Sequence, residues 1–269
     1  MAQINKSSEY FNTVLYTGNG STQSITGVNF QPDMIWVKQR NAVRNHVIED
    51  AVRGTTKALY PNLANAEENQ ATSITSFDSD GFSTGAFDDT NISAGTFVAW
   101  NWLASNTTAS NTDGSITSTV SANTTSGFSI VSYTGTGANA TVGHGLGVTP
   151  KIIFWKRRDN TAGAVNWIVQ STLFGNQTKL VLNTSEAFST NATFSQTNNW
   201  DSSTIDLKTY EGQNHSSATY IAYCFAEKKG FSKFGSYTGN GSTDGPFIYT
   251  GFKPAMVILK ITSGASNWR

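Results

Sequence analysis

Tyr16-Thr-Gly-Asn-Gly-Ser21 recurs as Tyr133-Thr-Gly-Thr-Gly-Ala138 and again as Tyr237-Thr-Gly-Asn-Gly-Ser242. Further on, each copy reaches a proline, at Pro32, Pro150 or Pro254. Each proline opens onto an apolar run that ends in lysine: Met34-Ile-Trp-Val-Lys38, Ile152-Ile-Phe-Trp-Lys156 and Met256-Val-Ile-Leu-Lys260. Tyr16, Tyr133 and Tyr237 stand much farther apart than the units of a solenoid, whose period is about 20–50 residues. The repeat therefore describes whole domains in tandem. Duplication of a whole domain favours presenting a surface over building a single active site.

The elements around the quoted stretch read as strands. Val14-Leu-Tyr16 leads into Thr17-Gly-Asn-Gly20, which supplies the positive-φ positions of a tight turn. Proline at Pro32 cannot donate to a ladder and marks a break. Met34–Lys38 is apolar on both alternations, the pattern of a strand buried on two faces. His46–Glu49 is a further strand, and Ser73–Phe77 with Gly81–Ser83 flanks Asp78-Ser-Asp80 as a hairpin. Thr96-Phe-Val-Ala-Trp-Asn-Trp102 closes the unit, with Phe97 and Ala99 on one side and Val98, Trp100 and Trp102 on the other. In the second copy Phe128–Tyr133 matches Phe11–Tyr16, and the closing strand Thr219–Phe225 matches Thr96–Trp102 with Ala222 on Ala99. A weak alternation over Gly114–Val120 predicts an edge strand, and Glu49–Leu63 carries a faint helical signal.

Six to eight short strands per copy, broken by Gly, Asn and Asp turns, predict an all-β chain of tandem antiparallel β-sandwich domains, jelly-roll-like, with a partial third repeat. The expected divisions are an N-terminal arm over 1–9, repeat one over 10–104, a linker and repeat two over 105–230, and partial repeat three over 231–269. The third copy holds only the opening strand, the turn and the central strand. A doubly apolar strand without a second sheet has nothing to cover it. The expectation is that the polypeptide continues past Arg269, or that a neighbouring subunit supplies the cover.

Composition narrows the function. Of the 269 residues 13% are charged, against about 25% in an ordinary domain, and Lys plus Arg balance Asp plus Glu at 18 each. Polarity here comes from Ser, Thr, Asn and Gly, which suits outward strand positions and not the wet face of a helical bundle. A nucleic-acid binder shows a basic stripe. The basic residues cluster only at Lys156-Arg-Arg158 and Lys228-Lys229, read as solvated strand ends, so no nucleic-acid partner is expected. The single cysteine, Cys224, excludes an internal disulfide framework and reads as a buried thiol. No leader follows Met1 and no apolar run reaches the length of a membrane span. A soluble chain made in a cytoplasm, without membrane insertion, is the expectation, and the Asn-x-Ser/Thr triplets are read as unmodified.

Catalysis needs gathered titratable groups. Of His46, His144 and His215, only His144 sits in a suggestive string, Gly143-His-Gly-Leu-Gly147, and it has no counterpart in the other copies; it reads as a turn histidine facing solvent. No phosphate loop, Gly-x-Ser-x-Gly elbow or His-Glu-x-x-His pair is present. Gly135-Thr-Gly137 lacks the third glycine and the helix of a dinucleotide site. Asp78 and Asp80, joined by Asp88 and Asp89, would hold calcium only if the hairpin folded back into a cage; Asp and Gly are also ordinary turn residues. Asp33, Glu49 and Asp50 would serve as glycosidase carboxylates only if they converged. Trp167, Trp200 and Trp268 do not recur across the copies and are the candidates for stacking on a sugar. No catalytic, metal-binding or cofactor-binding residue is assigned, and the chain is read as non-enzymatic without a cofactor.

Tyr10-Phe-Asn-Thr-Val-Leu-Tyr-Thr-Gly-Asn-Gly-Ser21, Gly27-Val-Asn-Phe-Gln-Pro-Asp33, Ala51-Val-Arg-Gly-Thr55 and Ser76-Phe-Asp-Ser-Asp-Gly-Phe82, with Gly143-His-Gly-Leu-Gly147 before Pro150, together resemble a repeat module of marine tailed-bacteriophage virion structural proteins. The resemblance covers essentially the whole chain and supplies no catalytic residue. It implies a particle component of tail-fibre-like type, assembled in the bacterial host cytoplasm and located in the virion. Expected partners are other virion proteins, further copies in a homotrimer, and a host-surface glycan. The alternatives are a head decoration protein and a carbohydrate-binding or polysaccharide-degrading protein.

Overall fold

A computed structural model describes residues 4–161 and 163–269. The strands of the first repeat are β1 (Phe11–Thr17), β2 (Gln23–Thr26), β3 (Met34–Gln39), β4 (His46–Asp50), β5 (Lys57–Ala58), β6 (Glu68–Asn69), β7 (Ile74–Asp78), β8 (Gly81–Thr84) and β9 (Thr96–Trp102). Those of the second are β10 (Ala109–Asn111), β11 (Ser118–Asn123), β12 (Phe128–Thr134), β13 (Ala140–Gly143), β14 (Ile152–Arg157), β15 (Ile168–Ser171), β16 (Thr178–Val181), β17 (Ser189–Thr190), β18 (Thr204–Leu207) and β19 (Thr219–Phe225). One helical turn precedes each closing strand, α1 (Asp88–Asn91) and α2 (Glu211–Asn214). The chain is all-β, and its strand pairs are antiparallel.

The two repeats share one plan. In the first, the main sheet runs β1-β9-β3-β4; in the second, the order β12-β19-β14-β15 repeats it, extended by β11 and β10 at one edge and by β16 and β17 at the other. The aligned alanines sit at the sheet centres: Ala99 lies between Val14 and Val37, and Ala222 between Val131 and Trp155. A smaller sheet covers the outer face of each main sheet, β2-β8-β7 in the first repeat and β13-β18 in the second.

The doubly apolar strands follow from how these layers stack. Ile35, Val37, Phe97 and Ala99 point outward and pack under β2-β8-β7 with Ile25, Ile74 and Phe82. Ile153, Trp155, Ala222 and Cys224 do the same under β13-β18 with Val142, Ile205 and Leu207. The opposite faces meet each other: Met34, Trp36 and Ile48 of the first repeat share a core with Ile130, Phe154, Val169, Ile221 and Tyr223 of the second. Trp102 packs its ring 6.3 Å from that of Phe225 and 6.4 Å from that of Phe128 at this seam. The two repeats are thus sandwiches fused back to back, each main sheet covered on both sides.

The quoted stretch has the same job in both complete copies. Tyr16 stacks on Phe97 with centroids 5.1 Å apart, and Tyr133 on Tyr220 at 5.2 Å. Each tyrosine hydroxyl donates to a carbonyl of the helical turn, Thr90 at 2.6 Å and Gln213 at 2.7 Å. The first glycine is packed against backbone: a Cβ at Gly18 would lie 2.3 Å from the Ile92 carbonyl oxygen, and one at Gly135 2.3 Å from that of His215. The second glycine takes the left-handed conformation that side chains disfavour, φ 69° at Gly20 and 72° at Gly137. A buried asparagine then clamps the loop, Asn91 accepting from the Asn19 amide at 3.0 Å and Asn214 from the Thr136 amide at 2.7 Å.

Several elements differ from the sequence reading. Glu49–Leu63 contains no helix; after β4 the chain turns and returns as β5, with Ile48 bridged to Leu59. The joint after Ala104 is not all irregular: Ala109–Asn111 forms the edge strand, and the strand expected over Gly114–Val120 begins at Ser118. Residues 231–269 form no strand, only an isolated bridge between Lys228 and Ser232. The opening and central strands expected there lack the closing strand that pairs with both in the complete copies. Of the arm expected over 1–9, residues 1–3 lie outside the described residues and Ser7–Glu9 is a short 3-10 helix.

Candidate functional site

A run of linked ion pairs lies at the edge of the seam between repeats. Arg53 is fully buried and donates through Nε to Asp50 at 2.5 Å and through Nη1 to Glu67 at 3.0 Å. Its Nη2 donates to the Ile48 carbonyl at 3.1 Å. From the second repeat, the Tyr223 hydroxyl donates to Asp50 at 2.7 Å, and Arg158 grips Glu67 through Nε at 2.9 Å and Nη2 at 3.0 Å. The planar guanidinium suits such two-point contacts with carboxylates. Burial would raise the Glu67 carboxyl, but the Arg158 hydrogen bond and the Arg53 charge outweigh it and hold Glu67 below the usual carboxylate range.

The same loop of repeat one is stitched to repeat two by neutral contacts. The Trp167 indole donates to the Tyr60 carbonyl at 2.8 Å, and Lys156 donates to the Ala64 carbonyl at 3.0 Å. Burial and the neighbouring Arg157 charge lower the Lys156 amine to about 7. Beside these contacts lies an open cleft of about 300 Å³ lined by Asn65, Ala66, Glu68, Asn160 and Ala164. Its one carboxylate, Glu68, already accepts from Tyr60 at 3.0 Å, Asn65 at 3.1 Å and Gln70 at 3.1 Å. Burial opposes these bonds, yet together they keep Glu68 below its ordinary value, as an ionised acceptor. No aromatic ring lines the cleft. The seam is built to hold two repeats together.

The residues singled out from sequence are dispersed. His144 does not face solvent: it is buried, its Nδ1 accepts from the Leu146 amide at 3.2 Å, and its Nε2 lies 3.3 Å from the Asp201 carbonyl. The Ser129 hydroxyl donates to the His144 carbonyl at 2.7 Å, and Gly145 next to it takes the left-handed φ of 71°. His46 accepts from the Trp36 indole at 2.9 Å, and burial lowers it to about 4. Asp78 accepts from Ser76 and Ser83, each at 2.7 Å, while Asp80 accepts from the Gly27 and Asn29 amides at 3.0 and 2.6 Å. Asp78 therefore ties off its own hairpin, Asp80 holds the Gly27–Asn29 turn after β2, and Asp88 and Asp89 pair with Arg44 elsewhere. Among the described residues no group of three or more His, Cys, Asp or Glu side chains is placed to hold a metal.

Asp33, Glu49 and Asp50 do not all converge: the Asp50 charge reaches Asp33, but Glu49 lies on the other face of the sheet. Strand alternation points Glu49 toward β7, where it accepts from the Ile74 amide at 3.2 Å, and Asp50 the other way, toward Tyr223. Asp33 accepts from the Ala104 and Asn106 amides at 2.7 and 3.1 Å, pinning the start of the joint between repeats. Burial raises Glu49 to about 7 and Asp33 to about 6. Trp167 and Trp200 are core residues, not sugar platforms: Trp167 stacks on Tyr223 and Trp200 donates to Ser195 at 2.8 Å. Trp268 is partly covered by the seam cluster and donates to the Val181 carbonyl at 2.8 Å. Cys224 is buried, as read, and burial pushes its thiol up.

The sequence reading put Lys156 and Arg157 in solvent, and both are fully buried. The only available signal was that they end the doubly apolar run Ile152–Lys156 without a turn residue between. Among the described residues the Arg157 guanidinium meets the Gly163 carbonyl and lies 3.7 Å from Asp159. The ion ladder of Asp50, Arg53, Glu67 and Arg158 had no sequence signature, because its members are distributed over both repeats.

No helix among the described residues is long and apolar enough to cross a membrane. Neither a curated protein nor a solved structure matches the chain. From residue 6 to residue 269 the chain matches one family, and it belongs to that family, described as a domain of unknown function, DUF7483.

Proposed function

We propose that the protein is a structural component of a bacteriophage particle, a fibre, spike or appendage subunit that meets the host surface and has no enzymatic activity. The observation that carries this reading is the back-to-back fusion of two tandem repeats through a shared apolar core closed by a buried ion ladder. Such a body resists separation of its repeats and offers stiffness. Its titratable groups are spent on turns, joints and the seam. The repeat module's resemblance to virion structural proteins of tailed phages supports the same reading. A homotrimer is the expected assembly, since extended appendages are symmetric homo-oligomers.

Gold-labelled antibody against the chain, viewed on intact particles by electron microscopy, tests the proposal. Label on tails or appendages is the expected result. Label on capsid faces would make the protein a head decoration, and particles without label would remove it from the virion altogether. Light scattering of the purified chain tests the trimer; a clean monomer at micromolar concentration contradicts it. Release of oligosaccharides from host polysaccharide would overturn the non-enzymatic reading.

A further inference from the structure

The main sheet of the first repeat ends at β4 on one side and at β1 on the other. β4 is covered, its Ile48 exchanging backbone hydrogen bonds with Leu59 at 2.8 and 3.0 Å. β1 is not. The backbone groups of its even-numbered residues point to β9, as shown where Tyr10 accepts from Leu103 and Gly18 donates to Gly95. Phe11, Thr13, Leu15 and Thr17 therefore aim their amides and carbonyls outward. Side chains alone meet two of these groups: the Thr13 amide donates to Asn12 Oδ1 at 3.0 Å, and the Thr17 carbonyl accepts from Gln23 at 3.1 Å. Among the described residues the Leu15 amide and carbonyl have no protein partner, and the Leu15 side chain is 62% exposed.

Free edges are ordinarily blunted by lysine, proline or a bulge. Phe11-Asn-Thr-Val-Leu-Tyr-Thr17 has no charge and no proline, and it pairs with β9 in unbroken register. The second repeat shows what such an edge receives. There β11 lies along β12, with Val120 opposite Val131 and Thr119 opposite Ser132. Val131 and Ser132 correspond to Val14 and Leu15, since Val131 faces Ala222 as Val14 faces Ala99. The chain makes β11 by reversing between Asn123 and Phe128. Ahead of β1 it takes the 3-10 turn Ser7–Glu9, closed by Lys6 donating to Glu9 at 3.1 Å, and does not run back along the edge.

We infer that β1 pairs with β1 of a second copy, antiparallel, about a two-fold axis at Val14. The strand offers its own copy what β11 offers β12. Thr13-Val14 has the order of Thr119-Val120, and in the two-fold register Val14 faces Val14 while Leu15 faces Thr13. Valine and threonine are the residues that stand opposite Val131 and Ser132. The hydrogen-bonded pairs are Thr13 with Leu15 and Phe11 with Thr17, which use every outward amide and carbonyl of the strand. Affinity in such strand addition comes from main-chain hydrogen bonds. A two-fold contact is met by the same patch on both partners, and an uncharged strand brings no like charges together. The main sheets of two copies become one continuous sheet. The pairing stands whether or not the protein is part of a virion, and it is distinct from the three-fold contacts of a trimer.

The test uses the full chain carrying both Thr13→Cys and Leu15→Cys, mildly oxidised. Directly opposed residues of a hydrogen-bonded pair lie about 5.5 Å apart between Cα atoms, within disulfide reach. Each new cysteine then faces the other one of the second copy. A covalent dimer closed by two bridges, and nothing larger, is expected on a non-reducing gel. Thr13→Cys or Leu15→Cys alone should give no covalent dimer, because neither position faces itself. In the parent chain Leu15→Lys, a charge on the edge, should halve the mass of the assembly in sedimentation and leave the thermal midpoint unchanged. Absence of the covalent dimer overturns the inference. Equal cross-linking by the single variants overturns it as random collision, and a covalent trimer or ladder overturns it by showing a contact that is not two-fold. An assembly mass unmoved by Leu15→Lys places the contact elsewhere and equally overturns it.

Discussion

The Tyr223 hydroxyl donates to the Asp50 carboxylate at 2.7 Å, tying the closing strand of the second repeat to β4 of the first across 173 residues of sequence. Asp50 also receives Arg53, which in turn reaches Glu67 and, through it, Arg158. A buried ladder of this type contributes modestly when intact but is costly to break, because each loss strands a desolvated charge. Tyr223→Phe is expected to cost about 1.5–3 kcal/mol, the range for a hydrogen bond to a charged group. Arg53→Met should cost more, about 3–5 kcal/mol, since it leaves the buried Asp50 without its counter-charge while Glu67 keeps only Arg158. Urea denaturation of the two variants and of their double mutant checks both values; simple additivity would show that the residues do not act as one network.

The glycines of the repeated turn give a three-way comparison. Gly18→Ala and Gly135→Ala drive a methyl to 2.3 Å from a backbone carbonyl oxygen that has no room to yield. Each should destabilise by about 1–3 kcal/mol or more, as overpacking does. Gly239→Ala, at the same place in the third copy, meets open space and should fall within about 0.5 kcal/mol of the parent. Thermal or urea unfolding of the three variants decides it, and an equal loss at all three positions would contradict the packing described.

Two buried groups give stability opposite slopes on either side of neutrality. Burial raises Glu49 from 4.5 to about 7, so between those values the folded protein keeps a proton that the unfolded chain has released. Stability from this group is therefore lost as pH rises through that window. Asp33, raised from 3.8 to about 6, adds to the same slope. Lys156 is lowered from 10.5 to about 7, so between those values the unfolded chain binds the extra proton and stability rises with pH. Urea midpoints at pH 5, 7 and 9 should show Glu49→Gln flattening the acid limb and Lys156→Met the alkaline limb.

The sequence was legible where a structural demand is local or recurs. Both closing strands, Thr96–Trp102 and Thr219–Phe225, have the bounds read from it, and the split of Phe97 and Ala99 from Trp100 and Trp102 onto opposite faces is what the two cores require. It was silent about what the repeats do to each other. Trp167, His144, Lys156 and Arg157 all appear polar or idiosyncratic along the chain, and each is buried by a segment distant in sequence or by the other repeat. Glu67 and Arg158 pair across 91 residues with no local pattern to announce them. The third copy misled because a strand's sequence is not a strand: Met256–Lys260 has the pattern of β3 but forms no strand, and Leu259 bonds through its backbone to Arg269 instead.

The central claim is that the two repeats are a single cooperative body and not two domains on a joint. Differential scanning calorimetry of the full chain tests it most directly. With Met34, Trp36 and Ile48 sharing one core with Ile130, Phe154 and Tyr223, neither repeat keeps a covered main sheet when the other unfolds. One transition is predicted, with calorimetric and van't Hoff enthalpies equal. Two separable transitions, or a calorimetric enthalpy about twice the van't Hoff value, would show that the repeats unfold independently and would contradict the fused body.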